Sequence, residues 1–164
     1  NTDLYNTLLA LSRSIFFYNK VKLSDSFETR IYLMLFHFSI FLMISKKKGR
    51  KFDQKSYDSL FYTIENNLRE LGFGDVSVNN KMKQLNKQLY DILLKFNVSE
   101  NDKFKINERL VLKYFKELSD LKSPNFIDFK SYFVDFYDFC FELSLDNMIR
   151  EAIKFKDKYG SSKT

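Results

Sequence analysis

The chain contains few residues that could act as a general base or a nucleophile. Among its 164 residues there is one histidine, His37, and one cysteine, Cys140. No Ser-His-Asp array is recognisable, and a Cys–His pair would require these two residues to meet in the folded protein. His37 lies in the most apolar stretch, which favours a buried histidine bonded to a backbone or hydroxyl group over one that contacts a partner. The sequence therefore predicts a protein that is not an enzyme.

Metal chemistry is weakly supported as well. Asp135 and Asp138 superficially suggest a Mg²⁺–diphosphate pair on an isoprenoid-synthase-like helical scaffold, but no further Asp or Arg stands at matching spacing. A di-iron bundle needs Glu-x-x-His pairs, whereas Met34 precedes His37 by three residues. Zinc would need more Cys or His. We expect no metal, cofactor or small-molecule substrate. We instead expect an exposed acidic helix face, Asp128, Asp135, Asp138 and Glu142, opposite an aromatic face, Phe129, Phe133, Phe136 and Tyr137.

Two of the four glycines stand close together, at Gly72 and Gly74, on either side of Phe73. They follow a helical pattern and lack a third glycine or a Gly-Lys-Ser/Thr ending, so they do not form a phosphate-binding loop. Glycine tolerates positive φ and ends helices at low cost, which predicts a tight corner between two helices. We expect Asp75 to cap the second of these helices, with Ser77 as the competing cap.

A dense group of cations precedes the third predicted helix. It consists of Lys46, Lys47, Lys48, Arg50 and Lys51, in a chain of net charge +6 and pI ≈ 9.2. This basic cluster could contact RNA phosphates or anionic lipid headgroups. Alternatively it is a solvated turn, because lysines at a helix C-terminus also interact favourably with the macrodipole. Lys81, Lys83 and Lys87 form a second patch after the glycine corner. The aromatic residues fall at core spacing, which does not indicate stacking on single-stranded RNA.

Composition indicates a single globular domain over residues 1–164, with 45% hydrophobic, 18% aromatic and 29% charged residues. One cysteine excludes an internal disulfide and suits a reducing compartment. No signal peptide is visible, and the initial Asn suggests that the natural N-terminus has been trimmed. The apolar run 31–44 is shorter than the ~20 residues a membrane-spanning helix needs. We therefore expect a buried central helix near 27–45.

Helical periodicity dominates and no convincing strand is found, which predicts an all-α bundle of about six helices. Asp25 and Asp53 are the expected N-caps of the second and third helices, and Phe52 and Tyr57 are spaced as a hydrophobic staple. Ser123-Pro124 should end the fifth helix. The polar segment 97–103 is the expected flexible joint or subdomain boundary. The predicted helices cover residues 4–18, 25–45, 53–72, 78–96, 110–121 and 126–159, the last as one helix or a broken pair.

Over roughly residues 4–90 the chain resembles the ubiquinol–cytochrome c chaperone family, the assembly factors for cytochrome b of the respiratory bc1 complex. The most distinctive matching block is Leu68-Arg69-Glu70-Leu71-Gly72-Phe73-Gly74-Asp75, followed by Val78, Lys81, Met82 and Lys83. The other matching positions are Leu4-Tyr5, Ser12-Arg13, Phe17-Tyr18, Val21, Asp25, Phe27, Glu28, Arg30, His37, Gln54, Leu60 and Phe61. Thr29 replaces the usual glycine, and a Gly-Arg pair is absent around Tyr90-Asp91. Over about residues 104–159 the chain matches the family only as an aromatic-rich helical continuation.

The resemblance implies a non-enzymatic chaperone that receives newly made cytochrome b, with a possible small partner chaperone and possible ribosome contact. It also implies a compact bacterial-type member, cytoplasmic and peripheral to the inner membrane, with the mitochondrial matrix side as the alternative location. The hypothetical recognition edge comprises Arg69, Glu70, Gly72, Phe73, Gly74, Asp75, Lys81 and Lys83. Alternatively, Arg30 and Arg69 pair with Glu28, Glu70 or Asp75 and only fix the helices. The alternative function is a ribosome- or RNA-binding helical adaptor with a different client.

Overall fold

The computed structural model describes residues 3–98, 101 and 103–163. The predicted all-α single-domain bundle is confirmed. The described helices are α1 Asp3–Ser12, α2 Ile15–Asn19, α3 Phe27–Lys47, α4 Gln54–Glu70, α5 Asp75–Lys95, α6 Glu108–Tyr114, α7 Pro124–Phe141, α8 Met148–Ala152 and α9 Lys154–Lys163, with a 3-10 helix at Lys116–Leu118. Two short strands, β1 Asn97–Val98 and β2 Phe104–Lys105, complete the described elements.

Helix α3 is the centre of the bundle, as its apolar sequence predicts. It packs against α1, α5 and α7, and its side chains are buried on nearly every side. By length and composition α3 could cross a membrane, but 67% of its most apolar window is buried inside the protein. The expected cap is wrong: Ser26, not Asp25, accepts a hydrogen bond from the Thr29 amide. Asp25 instead pairs with Arg30 at 2.6 Å.

The third predicted helix is α4, and Asp53 is its N-cap as expected, accepting from the Ser56 amide. The hydrogen bonds from Ser56 hold the pKa of Asp53 below its ordinary value. Phe52 and Tyr57 both lie against Phe38, with ring centroids 5.4 and 5.7 Å away. The residues expected to staple the helix start therefore fasten α4 to the central helix.

Three of the predicted helices are interrupted in the structure. The first divides into α1 and α2 after Ser12, whose hydroxyl donates to the Leu9 carbonyl and whose carbonyl accepts from Tyr18. The last divides into α7, α8 and α9. The predicted fifth helix ends before Ser123-Pro124, because α6 stops at Tyr114 and only the 3-10 helix Lys116–Leu118 follows. Ser123 instead caps α7, and Pro124 is the first residue of that helix.

The segment expected to be a flexible joint begins and ends in a small antiparallel ladder. Asn97 pairs with Lys105 and Val98 with Phe104, so the expectation of no strand is wrong at these positions. Residues 99, 100 and 102 of the predicted joint lie outside the described residues. The Phe104 ring lies 5.2 Å from that of Phe96 and 5.5 Å from that of Tyr137. The ladder is thus packed between the end of α5 and α7.

Helix α7 has the two faces that its sequence predicts. Its aromatic residues Phe129, Phe133, Phe136 and Tyr137 are buried. Asp135, Asp138 and Glu142 are exposed, and Asp128 is partly exposed. The buried rings contact those of Phe17, Phe36 and His37 in stacked, tilted and edge-on geometry, respectively. Such pairs add to the energy of apolar burial, which explains the use of so many aromatic residues in a small core.

Candidate functional site

The corner between α4 and α5 is a helix C-terminus of the Schellman type. Leu71 is the C-cap and Gly72 follows it at φ 97°. The Gly72 amide donates to the Arg69 carbonyl and the Phe73 amide donates to the Leu68 carbonyl. These two bonds define the motif and satisfy carbonyls that the helix end would otherwise leave unpaired. The corner therefore holds Phe73 at a fixed position just beyond the helix.

The polar residues of the corner pair with each other. Arg69 binds the carboxylate of Asp75 across the corner and also lies 3.7 Å from Glu65. The structure thus realises the alternative in which Arg69 fixes the two helices, while Arg30 pairs with Asp25 rather than with Glu28. The predicted caps are wrong: Gly74 occupies the N-cap position of α5 without a side-chain bond. Asp75, in the first turn of α5, still interacts favourably with the helix dipole.

A groove of about 600 Å³ opens beside Phe73, where the start of α3, the end of α4 and the first half of α5 meet. Phe73 is 38% exposed and Leu71 is 62% exposed. The Lys81 ammonium lies over the Phe73 ring at 4.7 Å from its centroid. The groove is lined by Ser26, Phe27, Glu28, Ile31, Tyr32, Leu68, Leu71, Phe73, Lys81, Gln84, Leu85 and Gln88. We call this surface the corner groove.

The predicted recognition residues divide into three groups in the structure. Phe73 and Lys81 line the corner groove. Gly72 and Gly74 shape the backbone, and Arg69 and Asp75 bind each other. The remaining two, Glu70 and Lys83, are exposed and are not among the residues that line the groove.

Most of the apolar residues that line the corner groove were not identified as binding residues from the sequence. Leu71 is apolar and follows a helical pattern, yet it is exposed because it is the C-cap and lies beyond the last regular turn. Phe27 is apolar and stands at the first position of α3, where exposure is common; it is 37% exposed. The position of Phe27 at the start of the helix was the sequence signal for its exposure. That Phe27 and Phe73 line the same groove depends on the tertiary fold.

A second, more polar groove of about 460 Å³ adjoins the first. The two share Ser26, Glu28, Tyr32, Gln84 and Gln88. In the polar groove Asp91 accepts hydrogen bonds from Lys113 and Tyr114, at 2.8 and 2.7 Å. Although partial burial opposes it, pairing with Lys113 and Lys95 holds the pKa of Asp91 well below its ordinary range. These paired charges join α5 to α6. Asp91 and Lys113, two of the charged residues that line the polar groove, therefore already have partners within the protein.

Two residues of the basic cluster, Lys48 and Arg50, make contacts with another part of the chain. The Lys48 ammonium donates to the carbonyls of Phe141 and Leu143 at the end of α7, the second at 2.8 Å. Arg50 pairs with Asp146 at 2.6 Å. Lys46, Lys47 and Lys51 are exposed. The contact of this cluster with an anionic surface stays a prediction.

The one histidine is a core residue, as expected. His37 is fully buried, its Nδ1 lies 2.6 Å from the Leu33 carbonyl and its Nε2 lies 2.7 Å from the Tyr132 hydroxyl. Because a carbonyl only accepts, Nδ1 carries the proton and Nε2 accepts from Tyr132. Burial lowers the pKa of His37 to about 3. Both ring nitrogens are occupied, which leaves none to activate a nucleophile.

The other candidate chemical groups are equally unsuited to catalysis. Cys140 is buried, and burial raises the pKa of its thiol far above the ordinary value. A buried thiol without a lowered pKa is a poor nucleophile. Asp135 and Asp138 both face a cleft, but the described part of the chain contains no group of three or more Asp, Glu, His or Cys side chains arranged to hold a metal ion.

Comparison with known proteins identifies one family. The family model described as ubiquinol-cytochrome C chaperone matches residues 19–106, which is more than half of the chain and includes the corner groove. Neither the curated proteins nor the solved structures contain a significant match.

Proposed function

Because the chain belongs to the ubiquinol–cytochrome c chaperone family, we propose that it is a non-enzymatic assembly chaperone that binds newly made cytochrome b and promotes assembly of the bc1 complex. The family membership supplies the class of function, a chaperone with a protein client. The identity of the client as cytochrome b is the finer part of the proposal. The corner groove is its proposed binding site.

The observation that carries the proposal is the exposed apolar wall of the corner groove within the family-matched residues. Phe27, Leu71 and Phe73 are partly exposed around a concavity that Ile31 and Leu68 deepen. Exposed apolar surface that is concave and rimmed by polar groups is typical of a protein-binding site. A segment of an unassembled membrane protein is apolar and would bury its side chains there.

The chemistry of the site supports binding rather than catalysis. The groove-lining residues that ionise are Glu28 and Lys81, together with the phenol of Tyr32. Lys81 lies against the Phe73 ring, where its charge is stabilised and its stem covers part of the apolar wall. The histidine and the cysteine are both in the core. These residues form a recognition surface with one basic edge.

The remaining parts of the proposal concern location and auxiliary partners. We place the protein in the bacterial cytoplasm, peripheral to the inner membrane, or on the matrix side of the mitochondrial inner membrane. A small partner chaperone and the ribosome are proposed auxiliary partners. The exposed Lys46, Lys47 and Lys51 are the residues proposed to contact ribosomal RNA or anionic lipid.

The proposal is tested by deleting the gene and complementing it with variants of the corner groove. Deletion should lower cytochrome b and bc1 activity and leave the other respiratory complexes intact. Phe73→Asp should fail to restore bc1, because a carboxylate would be desolvated when an apolar client docks. The matched control is Tyr62→Asp, which adds the same charge on an exposed position of α4 outside the groove and should restore bc1.

Normal bc1 levels in a clean deletion would overturn the proposal. The RNA-binding alternative predicts a different result, namely salt-sensitive ribosome co-sedimentation that is independent of bc1. The variant for that measurement is Lys46→Glu combined with Lys51→Glu. It leaves Lys48 and Arg50, which the fold uses, unchanged.

A further inference from the structure

A third concave surface lies between α7 and α9, outside the family-matched residues. It is a cleft of about 550 Å³ lined by Asp135, Asp138, Phe139, Glu142, Leu143, Phe155, Lys158 and Tyr159. Its floor is aromatic: the Phe155 ring lies 5.4 Å from that of Phe139 and 5.1 Å from that of Tyr159. Residues 19–106 contribute none of this lining. We call this surface the α7–α9 cleft.

The rim of the α7–α9 cleft is acidic. Asp135, Asp138 and Glu142 are exposed and follow one another at spacings of three and four, which places them on one face of α7 and at its C-terminal end. Partial burial, followed by the neighbouring carboxylate of Asp135, raises the pKa of Asp138. The carboxylates of Asp135 and Glu142 repel that of Asp138, Lys103 attracts it, and a further cation would relieve the remaining repulsion.

The aromatic floor already holds a cation of the protein itself. The Lys158 ammonium lies 5.7 Å from the centroid of the Phe139 ring. An ammonium or guanidinium over an aromatic face gains electrostatic energy in addition to any ion pair. The cleft therefore offers carboxylates, aromatic faces and apolar surface together, which suits a cation attached to an apolar neighbour.

The sign of the charge selects the kind of occupant. The whole chain has a net charge of +6, but the rim of this cleft carries three carboxylates and one lysine. Phosphates of RNA and anionic lipid headgroups would be repelled at this rim. A small metal ion is also a poor match, because the described residues contain no group of three or more side chains arranged to hold one. A basic segment of a protein complements both the rim and the floor.

We infer that the α7–α9 cleft docks a Lys- or Arg-containing segment of a protein partner, with apolar side chains adjacent to its basic residues. Such segments flank the membrane-spanning helices of membrane proteins, because loops on the non-translocated side carry an excess of Lys and Arg. The inference rests on the proposed function only for the source of the segment, which would be the membrane-protein client. Docking of the segment itself depends on the cleft alone.

The experiment measures binding of a short fluorescein-labelled synthetic peptide in which Lys and Arg alternate with Leu and Phe. Fluorescence anisotropy of the peptide should rise on addition of the full chain. A second peptide, with Glu at every basic position, should not bind. Asp135→Asn with Asp138→Asn should weaken binding of the basic peptide by about threefold to tenfold, the range expected from two partly exposed charge pairs.

The matched control for that double variant is Asp58→Asn with Glu70→Gln. It changes the net charge by the same amount through two exposed carboxylates of α4 that do not line the cleft, and it should leave binding unchanged. Equal weakening by both double variants would mean that only the overall charge matters, and it would overturn the inference. Failure of the basic peptide to bind would overturn it too.

A further pair of measurements separates the cleft from a merely structural acidic face. Asp138→Asn removes a crowded charge, so it should raise the Tm while it weakens peptide binding. Phe139→Ala should weaken binding of the basic peptide and leave the corner groove intact, because Phe139 lines the cleft and does not line the corner groove. A Tm that falls in parallel with binding for Asp138→Asn would contradict the inference.

The inference and the proposed function can fail independently. Peptide binding is measured with the purified chain and needs no bc1 complex. If deletion of the gene leaves bc1 intact while the peptide binds at Asp135 and Asp138, the proposed client is wrong and the docking inference stands. If deletion lowers bc1 while the peptide ignores the cleft, the reverse holds.

Discussion

Two corners of this protein share one backbone motif and differ in what they do with it. Gly49 follows the C-cap of helix α3 and Gly72 follows the C-cap of helix α4, with φ angles of 78° and 97°. At the first corner the Gly49 amide donates to the Lys46 carbonyl and the Arg50 amide to the Ser45 carbonyl. The second corner repeats both bonds. Each is therefore a Schellman C-cap.

The difference lies in the side chain that follows the glycine. At the first corner this residue is Arg50, which pairs with Asp146, while Lys48 binds carbonyls at the end of α7. At the second corner it is Phe73, which is partly exposed and lines the corner groove. The same motif thus closes one corner on the C-terminal part of the chain and leaves Phe73 partly exposed at the other. The first corner is rich in charge, but the second is the one that we propose as the binding site.

The largest expected effect is a loss of stability at low pH caused by the buried His37. It tests whether the two corners unfold together as one cooperative unit. His37 is neutral in the fold, with a pKa of about 3, whereas an unfolded histidine titrates near 6.5. A histidine with a lowered folded pKa contributes its full stability above the unfolded pKa, and the contribution is lost as the pH falls toward the folded pKa. Between about pH 6.5 and about pH 4 the free energy of unfolding should fall by about 3 kcal/mol.

Urea unfolding across this pH range measures that loss, and His37→Gln provides the control. Glutamine can keep the bonds to Leu33 and Tyr132 but does not titrate, so the part of the pH slope due to His37 should disappear. The amide resonances of Gly49 and Gly72 should lose their native shifts together on acidification. Loss of the Gly72 signal at a clearly higher pH would show that the corners unfold separately.

The sequence predicts the backbone of the second corner better than its surroundings. Glycine spacing, helical periodicity and the Asp53 cap are local signals, and each is confirmed. The burial of His37 follows from the apolar sequence around it. The groove was not predictable in the same way, since Phe27 and Phe73 are far apart in the sequence and line one groove only after α3 and α4 have packed against α5. The partners of Lys48 and Arg50 lie at residue 141 and beyond, which is also far away in the sequence. Their contacts therefore could not be predicted, and the basic cluster was interpreted as a surface that contacts solvent or an external anion.

The next effect sharpens the claim that the two corners are equivalent in backbone energy. Gly49→Ala and Gly72→Ala should each lower the free energy of unfolding by about 1–2 kcal/mol, because an L side chain is disfavoured at positive φ. No atom lies within 4 Å of a Cβ placed at either glycine, so the cost is conformational rather than steric. Urea denaturation of the two variants measures it. Losses that differ by more than about 1 kcal/mol would contradict the equivalence.

The smallest expected effect on stability distinguishes the first corner, where Lys48 binds the end of α7, from the second corner, where Phe73 is partly exposed. Lys48→Met keeps the apolar stem but removes the ammonium bound to the Phe141 and Leu143 carbonyls, so it should cost about 1 kcal/mol of stability. Lys81→Met removes only a cation that lies over the Phe73 ring and should change stability by less than about 0.5 kcal/mol. Urea midpoints at equal slope give both values. If Lys81→Met destabilises the protein as much as Lys48→Met, the second corner is also closed by its own chain, and Phe73 is a structural residue instead of a docking one.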